Sequence, residues 1–402
     1  MELALTIANS IMAVILGGIA GLWVYFLAFM VRSFRLAPRL ENFDRAGHST
    51  PRVSVILPAR NEEKYISRCL DTLLAQDYSN FQIIAINDSS ADRTGEIMAE
   101  YSARDPRVVY VSAPPKPDGW AGKNWACYQG YRRADGDLLL FTDADTEHGS
   151  NTMSLAVQHL LSQKLDALTA VPHLVCNDFW TKITLPSLAT FLHTRFSPLR
   201  VNDPKVKTGY FFGSFFVITR ATYESVGTHE GVRQELVEDG ALGGKVKAAN
   251  HKMKMVRGES HIDAIWARDL NSLWHGLRRL MMPLYHQDKV GAGLMTTAVF
   301  FILLVPFLTL PYSIFAAPLA GNVTGPLVLI VQIVAVVLII SATAVQCARG
   351  VYQNPSYAFA APLSGVIVSF GFLSALIDAA NKGAVTWRDR NYTVSENQHP
   401  IY

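Results

Sequence analysis

The chain has few cysteines, and they are scattered. Only four occur in 402 residues, and none forms a C-x-x-C pair. This pattern argues against a disulfide framework or a zinc knuckle and predicts that the cysteines serve packing. The net charge is only +3, so nothing indicates a nucleic-acid partner. The four cysteines are Cys69, Cys127, Cys176 and Cys347.

Charge is scarce towards both ends of the chain. Hydrophobic residues make up 50% of the sequence and charged residues 17%, which is apolar for a soluble protein of this length. Residues 3–30 contain no charged side chain and predict an uncleaved membrane anchor, because a signal peptide would begin with basic residues. Three later apolar stretches, residues 294–317, 326–347 and 359–380, are also long enough to span a bilayer.

Basic residues beside the apolar stretches predict the orientation, since lysine and arginine are retained on the cytoplasmic side. They place the middle of the chain in the cytoplasm and the protein in the cell membrane. Four crossings would leave the tail outside, whereas its own basic residues favour the inside. Residues 294–317 contain prolines that could make this segment re-entrant. The basic residues at the first two junctions are Arg32, Arg35, Arg39, Arg278, Arg279 and Lys289, and those of the tail are Lys382, Arg388 and Arg390.

Between the membrane segments, short apolar runs alternate with helical patterns. Strands are predicted at residues 53–57, 81–86, 108–111 and 138–141, and helices at 66–74, 92–101 and 123–133. This alternation predicts an α/β domain with a mostly parallel, Rossmann-like sheet. Right-handed crossovers then bring the loops at the carboxyl ends of the strands to one edge, where ligands of such sheets bind.

Two carboxylates separated by one small residue follow the fourth strand. Asp143 and Asp145 form a D-x-D motif, and strand geometry would put both on the same side of the pleat. Oxygen ligands placed in this way favour Mg²⁺ or Mn²⁺, which is well suited to binding a diphosphate. The alternative is a polar turn, in which aspartate is common.

Four motifs in this order resemble the family 2 glycosyltransferases, whose catalytic domain has the GT-A fold. They are residues 53–62, 87–94 and 143–145, and the pair Glu238 and Asp239. Within that superfamily, the segments GWAGKNWA at 119–126 and WRDRNY at 387–392 are similar to the hopene-associated and carotenoid glycosyltransferase-like group.

The resemblance implies a nucleotide-sugar site, with Asp88 reaching the base and Glu62 near the ribose. A carboxylate can accept a hydrogen bond from a base N–H, although Asp88 could also cap a turn. Lys123 and Asn124 begin a predicted helix and could meet phosphate, unless Lys123 is simply solvated. Asp92 is equally well explained as a helix N-cap. The implied nucleotide-sugar contacts are Pro58, Ala59, Glu62, Asp88, Lys123 and Asp143.

The resemblance also implies the catalytic groups. Asp145 is the preferred metal ligand, and Asp143 contacts the sugar, the ribose or the metal. Asp239 is the candidate general base of an inverting transfer, in which one carboxylate takes the acceptor's proton. The alternative for Glu238 and Asp239 is that they are helix-start acids favoured by the helix dipole.

The sequence signals for the acceptor side of the site are less specific. Residues 209–216 occupy the position where this superfamily lines the acceptor site, so Gly213 and Ser214 are candidates, although the aromatic residues around them are also typical of a core. The Q-x-x-R-W motif of many processive members is absent from the sequence. Residues 270–283, with Trp274 and Arg278, have the composition of an amphipathic interface helix that could hold diphosphate or lipid phosphate. Arg278 could also serve only as a topology anchor.

These inferences predict a membrane-integrated inverting hexosyltransferase that uses a UDP- or GDP-type sugar donor and a lipid acceptor. The alternatives are a processive polysaccharide synthase and a non-catalytic nucleotide-binding scaffold. The predicted organisation is an N-terminal transmembrane anchor at 1–31, a basic juxtamembrane linker at 32–50, a GT-A domain at 51–268, an interface helix at 269–290, about three transmembrane helices at 291–381 and a polar tail at 382–402.

Overall fold

The computed structural model describes residues 2–43, 49–382, 384–387 and 390–393. The chain divides into two compact units. The helical unit comprises Met1–Leu36, Cys176–Arg195 and Ala267–Gly383, and the sheet unit comprises Ala37–Val175, Phe196–Trp266 and Ala384–Tyr402. The predicted motif at 387–392 and the basic residues of the tail lie partly outside the described residues, as does part of the juxtamembrane linker.

The secondary structure alternates strands and helices between long terminal helices. The strands are β1 (Val53–Ala59), β2 (Phe81–Asn87), β3 (Val108–Ser112), β4 (Leu138–Phe141), β5 (Thr146–His148), β6 (Ala167–Val171), β7 (His173–Leu174), β8 (Phe216–Thr219), β9 (Met253–Arg257), β10 (Ile262–Ala264), β11 (Ala384–Trp387) and β12 (Arg390–Thr393). The helices are α1 (Glu2–Leu36), α2 (Ile66–Leu74), α3 (Thr94–Arg104), α4 (Gly122–Tyr131), α5 (Thr152–Ser162), α6 (Phe179–Phe196), α7 (Pro198–Val201), α8 (Arg220–Ser225), α9 (Glu238–Ala248), α10 (Leu270–Gln287), α11 (Lys289–Leu308), α12 (Thr324–Arg349) and α13 (Ala361–Lys382).

A seven-stranded sheet forms the centre of the sheet unit. Its strand order is β3-β2-β1-β4-β8-β6-β9. The strands β1 to β4 pair in parallel, whereas β8 runs antiparallel to both β4 and β6. The predicted mostly parallel α/β architecture is confirmed. Because Ala59 lies opposite Asn87 and Ile56 lies opposite Phe141, the carboxyl ends of β1, β2 and β4 meet at one edge.

Both faces of this sheet are covered, which explains why the strands read as continuous apolar runs. All seven residues of β1 are buried. Val55 and Leu57 pack into one hydrophobic cluster, and Ile56 packs into another together with Ile84 of β2. The four cysteines are free thiols, three of them buried, as expected of packing residues.

Some element boundaries differ from the prediction. The strand β1 continues through Pro58 and Ala59, so these two residues belong to the strand and do not follow it. The helix α3 begins at Thr94. The helix α6 is absent from the predicted elements, and Pro186 in its interior interrupts the pattern by which a helix is recognised.

Among the described residues, four helices are long and apolar enough to cross a membrane, and they occupy the predicted ends of the chain. They are Glu2–Leu36, Lys289–Leu308, Thr324–Arg349 and Pro355–Ala380. Which side of a membrane each end of the chain faces stays a prediction.

In the segment suspected of being broken by proline, the α-helix runs through Pro306 and ends at Leu308. The rest of the segment forms a π-helix at Tyr312–Ala316 and a 3₁₀ helix that starts at Ala317, so the α-helix is interrupted near Pro311. A proline inside a helix leaves the carbonyl four residues earlier without its usual donor. In α11 that carbonyl belongs to Ile302, and it accepts a hydrogen bond from the indole Nε1 of Trp23 at 3.1 Å. The carbonyl of Pro306 contacts the side-chain amide of Gln332 in α12. The neighbouring helix α1 therefore supplies the donor that the proline removes from the Ile302 carbonyl.

The helix α10 covers the segment predicted as an interface helix. It begins with a capping box between Asp269 and Ser272. Its Arg278 forms an ion pair with Asp378 of α13, and Gly371 of α13 allows Leu277 to approach closely. Arg278 is therefore engaged within the helical unit.

Candidate active site

Two polar loops, which follow β1 and β2, are tied to each other. Each loop contains a residue with positive φ, Asn61 at 55° and Ser89 at 53°, a conformation in which asparagine is enriched. The Asn61 side chain accepts a hydrogen bond from the backbone N–H of Ala91 at 2.9 Å. The backbone N–H of Glu63 donates to the Asp92 carboxylate at 3.1 Å. Asp92 therefore joins the two loops in addition to bonding near the start of α3.

The predicted nucleotide contacts from these loops lie together. Glu62 is 1% exposed and Asp88 is 5% exposed. The backbone N–H of Asp88 donates to the carbonyl of Ala59 at 2.9 Å, and Arg60 donates to the carbonyl of Asp88 at 2.8 Å. Together with Pro58, these residues occupy one corner of the sheet edge. Their contact with a nucleotide stays a prediction.

Asp143 and Asp145 lie just beyond β4, which ends at Phe141. A turn therefore carries both carboxylates, so alternation along a strand does not set their orientation, and their joint binding of a cation stays a prediction. The turn is held by backbone bonds from Thr146 to the Asp143 carbonyl and from Ile265 to the Asp145 carbonyl, at 3.3 and 3.4 Å. Both aspartates are partly exposed at the edge where β1 and β2 also end.

Lys123 connects this turn to α9. It lies in the first turn of α4, and its Nζ is 2.7 Å from Asp143 Oδ1 and 2.6 Å from Glu238 Oε1. Burial alone would lower the pKa of the Lys123 ammonium, but the charges of Asp143 and Glu238 outweigh it and hold that pKa well above its usual value. The alternative of a merely solvated lysine is therefore wrong.

Asp239 occupies the first turn of α9. Its two carboxylate oxygens accept hydrogen bonds from the backbone N–H groups of Gly213 at 2.7 Å and of Gly240 at 2.8 Å. Burial, and then the neighbouring charge of Glu238, raise the pKa of Asp239 to about 6, against the opposing effects of Lys123 and the Gly240 N–H. A carboxylate with this pKa is ionised at neutral pH and is a stronger base than an ordinary aspartate.

Gly213 lies where three of these side chains converge. A Cβ atom built on it would lie 2.8 Å from Asp239 Oδ2, 3.0 Å from Lys123 Nζ and 3.3 Å from Asp143 Oδ2. The space beside Gly213 is therefore bordered by a candidate base, a cation and a candidate metal ligand. This small polar site lies directly against the backbone of Gly213, and a side chain at this position would collide with the surrounding groups.

The side chains at this site provide some of the ligands that a hard divalent cation needs. Asp143 and Asp145 supply the oxygen ligands that Mg²⁺ and Mn²⁺ prefer. Within the described part of the chain, no group of three or more histidine, cysteine, aspartate or glutamate side chains converges on one point. A cation held by these two aspartates would therefore take its other ligands from substrate phosphate and water.

The residues of 209–216 divide between core and site. Phe211 and Phe216 are stacked with centroids 4.6 Å apart, and both are buried. The carbonyl of Ser214 accepts a hydrogen bond from the Thr142 hydroxyl at 2.8 Å, which ties this segment to the turn after β4. The phenylalanines are thus core residues, and Gly213 is the member that reaches the site.

Three residues proposed from the sequence as site residues have different contacts from those expected. The Asn124 side-chain amide is buried and donates to the carbonyls of Val232 and Glu235 at 2.6 and 3.0 Å. The expected phosphate contact through the backbone N–H groups at the start of α4 stays a prediction. Trp274 and Arg278 belong to the helical unit, and Arg278 is paired with Asp378. A role for them at the acceptor or diphosphate side stays a prediction.

Sequence reasoning missed the ion pair between Glu238 and Lys123. The two residues are more than one hundred positions apart, and no spacing rule connects them. The only signal in the sequence was that each stands at the start of a helix next to a motif.

Comparisons with known proteins show which proteins this chain is similar to. The family model described as Glycosyl transferase family 2 matches residues 54–227. The 4,4'-diaponeurosporenoate glycosyltransferase of Staphylococcus haemolyticus is 30% identical over 210 residues, which are 51% of this chain and 54% of that protein. The protein of the same name from Staphylococcus aureus is 28% identical over 217 residues, which are 53% of this chain and 54% of that protein. The chain thus spans about half the length of these curated relatives.

Among solved structures, the chain is similar to the mannosyltransferase PcManGT from Pyrobaculum calidifontis in complex with GDP-Man and Mn²⁺. The TM-score is 0.48 at 15% sequence identity, and the match covers 95% of this chain and 99% of that one.

Proposed function

We propose that this chain, whose residues 54–227 form a glycosyl transferase family 2 domain, is a membrane-bound enzyme that moves a hexosyl group from a nucleotide-sugar to a lipid acceptor. The observation that carries the proposal is the convergence of Asp239, Lys123 and Asp143 around Gly213. This cluster combines a base, a cation and an oxygen ligand at the carboxyl edge of a largely parallel sheet, which is where such sheets bind ligands.

The reaction is a single displacement with inversion. The oxygen of the acceptor hydroxyl attacks the anomeric carbon of the sugar, and the Asp239 carboxylate accepts the proton of that hydroxyl. The bond between the anomeric carbon and the diphosphate oxygen breaks, and its electron pair leaves with the nucleoside diphosphate. Hydrogen bonds from Gly213 and Gly240 orient the carboxylate, so that little reorganisation is needed before attack.

The donor side is formed by the loops after β1, β2 and β4. Asp88 and Glu62 bind the nucleoside of a UDP- or GDP-type donor, and Lys123 binds its diphosphate. Asp145, with Asp143, would hold Mg²⁺ or Mn²⁺, which when bound offsets charge on the leaving diphosphate. Asp143 is already neutralised by Lys123, so Asp145 is the better candidate for the principal ligand.

The lipid nature of the acceptor is supported by two independent features. In the part of the chain that the structure describes, four helices are long and apolar enough to span a membrane. The Staphylococcus relatives are named as glycosyltransferases of diaponeurosporenoate, a carotenoid acid. We therefore propose that the protein resides in the cell membrane with its sheet unit on the cytoplasmic side, where nucleotide-sugars are available.

Binding of the leaving group tests the donor site. We expect UDP or GDP with Mn²⁺ to raise the melting temperature of the detergent-solubilised protein, because a ligand that binds only the folded state stabilises it. At a ligand concentration of about 100 times Kd, the gain is about 2.7 kcal/mol. The variant Asp145→Ala should lose the Mn²⁺-dependent part of this shift. A wild-type protein that shows no shift with either nucleotide would contradict the proposed donor site.

The pH dependence of transfer tests the base. Asp239 must be ionised to accept a proton, and its pKa is raised to about 6. We therefore expect kcat/KM to fall as the pH decreases through about 6, whereas an ordinary aspartate would stay active to about pH 4. Initial rates of transfer from a radiolabelled nucleotide-sugar, measured across this range, check the prediction. A rate that stays constant down to about pH 4.5 would count against Asp239 as the base.

A further inference from the structure

Glu238 precedes the candidate base, but its surroundings are those of a supporting residue. It is 5% exposed, and its Oε1 lies 2.6 Å from Lys123 Nζ. Asp143, the other partner of Lys123, has a side chain that is 34% exposed. The lysine thus bridges one nearly buried carboxylate and one that substrate can reach.

This difference in burial determines which ion pair can be exchanged. The Lys123 side chain is 34% exposed but that of Glu238 is only 7% exposed, so separating the pair would leave the Glu238 carboxylate uncompensated in a poorly solvated place, which is unfavourable. Asp143 can exchange the lysine for a cation or for water, because it is partly exposed. Glu238 has no comparable access to solvent, so its pair with Lys123 should persist when a nucleotide-sugar binds.

We propose that Glu238 is a positioning residue that holds the Lys123 ammonium beside Asp143 and Asp239, ready to meet the donor diphosphate, and does not itself contact substrate. The inference rests on the proposed function and deepens it. A lysine side chain has several rotatable bonds, and fixing it before the donor arrives removes an entropic cost of binding.

The same arrangement influences the base. The groups that face Asp239 are the charges of Glu238, Lys123 and Asp143 and the backbone N–H groups of Gly213 and Gly240. Replacing Glu238 with glutamine removes the nearest negative charge. The pKa of Asp239 should then fall, and the acidic limb of the pH profile should move to lower pH. A residue that only supported the fold would leave the profile unchanged.

The test compares four variants of the full chain in detergent: Glu238→Gln, Glu238→Asp, Lys123→Met and the double variant Glu238→Gln with Lys123→Met. We expect Glu238→Gln to raise the donor KM about tenfold, which corresponds to about 1.4 kcal/mol of binding. Lys123→Met should raise it at least as much. The double variant should be no worse than Lys123→Met, because both substitutions remove one interaction. Glu238→Asp keeps the charge and should restore part of the loss.

The control is Glu230→Gln, the same chemical change at an exposed glutamate in a nearby turn, which should leave KM and the pH profile as in wild type. The inference is overturned if Glu238→Gln has wild-type KM and pH profile, or if its effect simply adds to that of Lys123→Met. A loss of melting temperature with unchanged KM would also overturn it, because that result assigns Glu238 a structural role only. A wild-type protein that transfers no sugar would overturn the proposed function itself, which separates the two failures.

Discussion

Replacing Asp239 with asparagine lowers the rate of sugar transfer by about 10²–10⁴-fold, the usual contribution of a general base. Asparagine has nearly the same shape, and its oxygen can still accept the hydrogen bond from Gly213. It cannot take a proton from the acceptor hydroxyl. The loss should therefore appear in kcat, with donor binding close to that of wild type.

Initial rates at saturating nucleotide-sugar, together with nucleotide-induced melting shifts, separate the two quantities. Asp77→Asn is a suitable control, because it makes the same change at an exposed aspartate after α2. Near-wild-type transfer by Asp239→Asn would show that another group acts as the base. An equal loss of nucleotide binding would instead show that Asp239 shapes the donor site.

Gly213→Ala is expected to cost at least about 100-fold in transfer, the scale of loss that a misplacement of about 1 Å can cause. The added methyl group would lie 2.8 Å from Asp239 Oδ2 and 3.0 Å from Lys123 Nζ, which is too close for either atom to stay in position. The base and the cation would both have to move. Unlike Asp239→Asn, this variant should therefore weaken donor binding as well as turnover.

Gly149→Ala is the matched control. A Cβ on Gly149 would meet its nearest neighbour, the Thr152 hydroxyl, at 3.4 Å, which is ordinary van der Waals contact. We expect this variant to melt and to transfer sugar like wild type. If Gly213→Ala is as active as Gly149→Ala, the space beside Gly213 is not where the reaction takes place.

Much of the sheet could be predicted from the sequence because its parallel strands are buried on both faces. Such strands read as continuous apolar runs, and β1, β2 and β4 were found in this way. The motifs at their carboxyl ends also indicated the family. The resemblance to family 2 glycosyltransferases is confirmed over residues 54–227, which the family model matches. The predicted mostly parallel sheet is confirmed by the strand order and directions.

Features that depend on contacts distant in sequence were not predictable. The antiparallel direction of β8 is set by its pairing with β4, about 80 residues earlier. Glu238 and Lys123 form an ion pair only because α9 and α4 begin at the same edge. The importance of Gly213 was visible only as a glycine among aromatic residues, because its effect comes from the Cβ it lacks.

The membrane helices likewise combine features that the sequence predicts with features that it does not. Their positions followed from length and apolar composition, since a helix must be about 20 residues long to cross a bilayer. The prolines of 294–317 suggest a break, and the α-helix does end within this segment, at Leu308. The helix continues through Pro306 because Trp23 supplies the hydrogen bond to Ile302 that the proline removes. A compensation of this kind from a distant helix leaves no local sequence signal.

Transfer of a sugar to a lipid is the activity proposed for this chain. It is tested by incubating the purified protein with a panel of UDP- and GDP-sugars, Mn²⁺ and a total lipid extract, followed by mass spectrometry of the lipids. We expect one lipid species to gain a hexosyl group with wild-type protein and this product to be lost with Asp239→Asn. If no lipid gains a sugar from any donor, or if Asp239→Asn yields as much product as wild type, the proposed activity is contradicted.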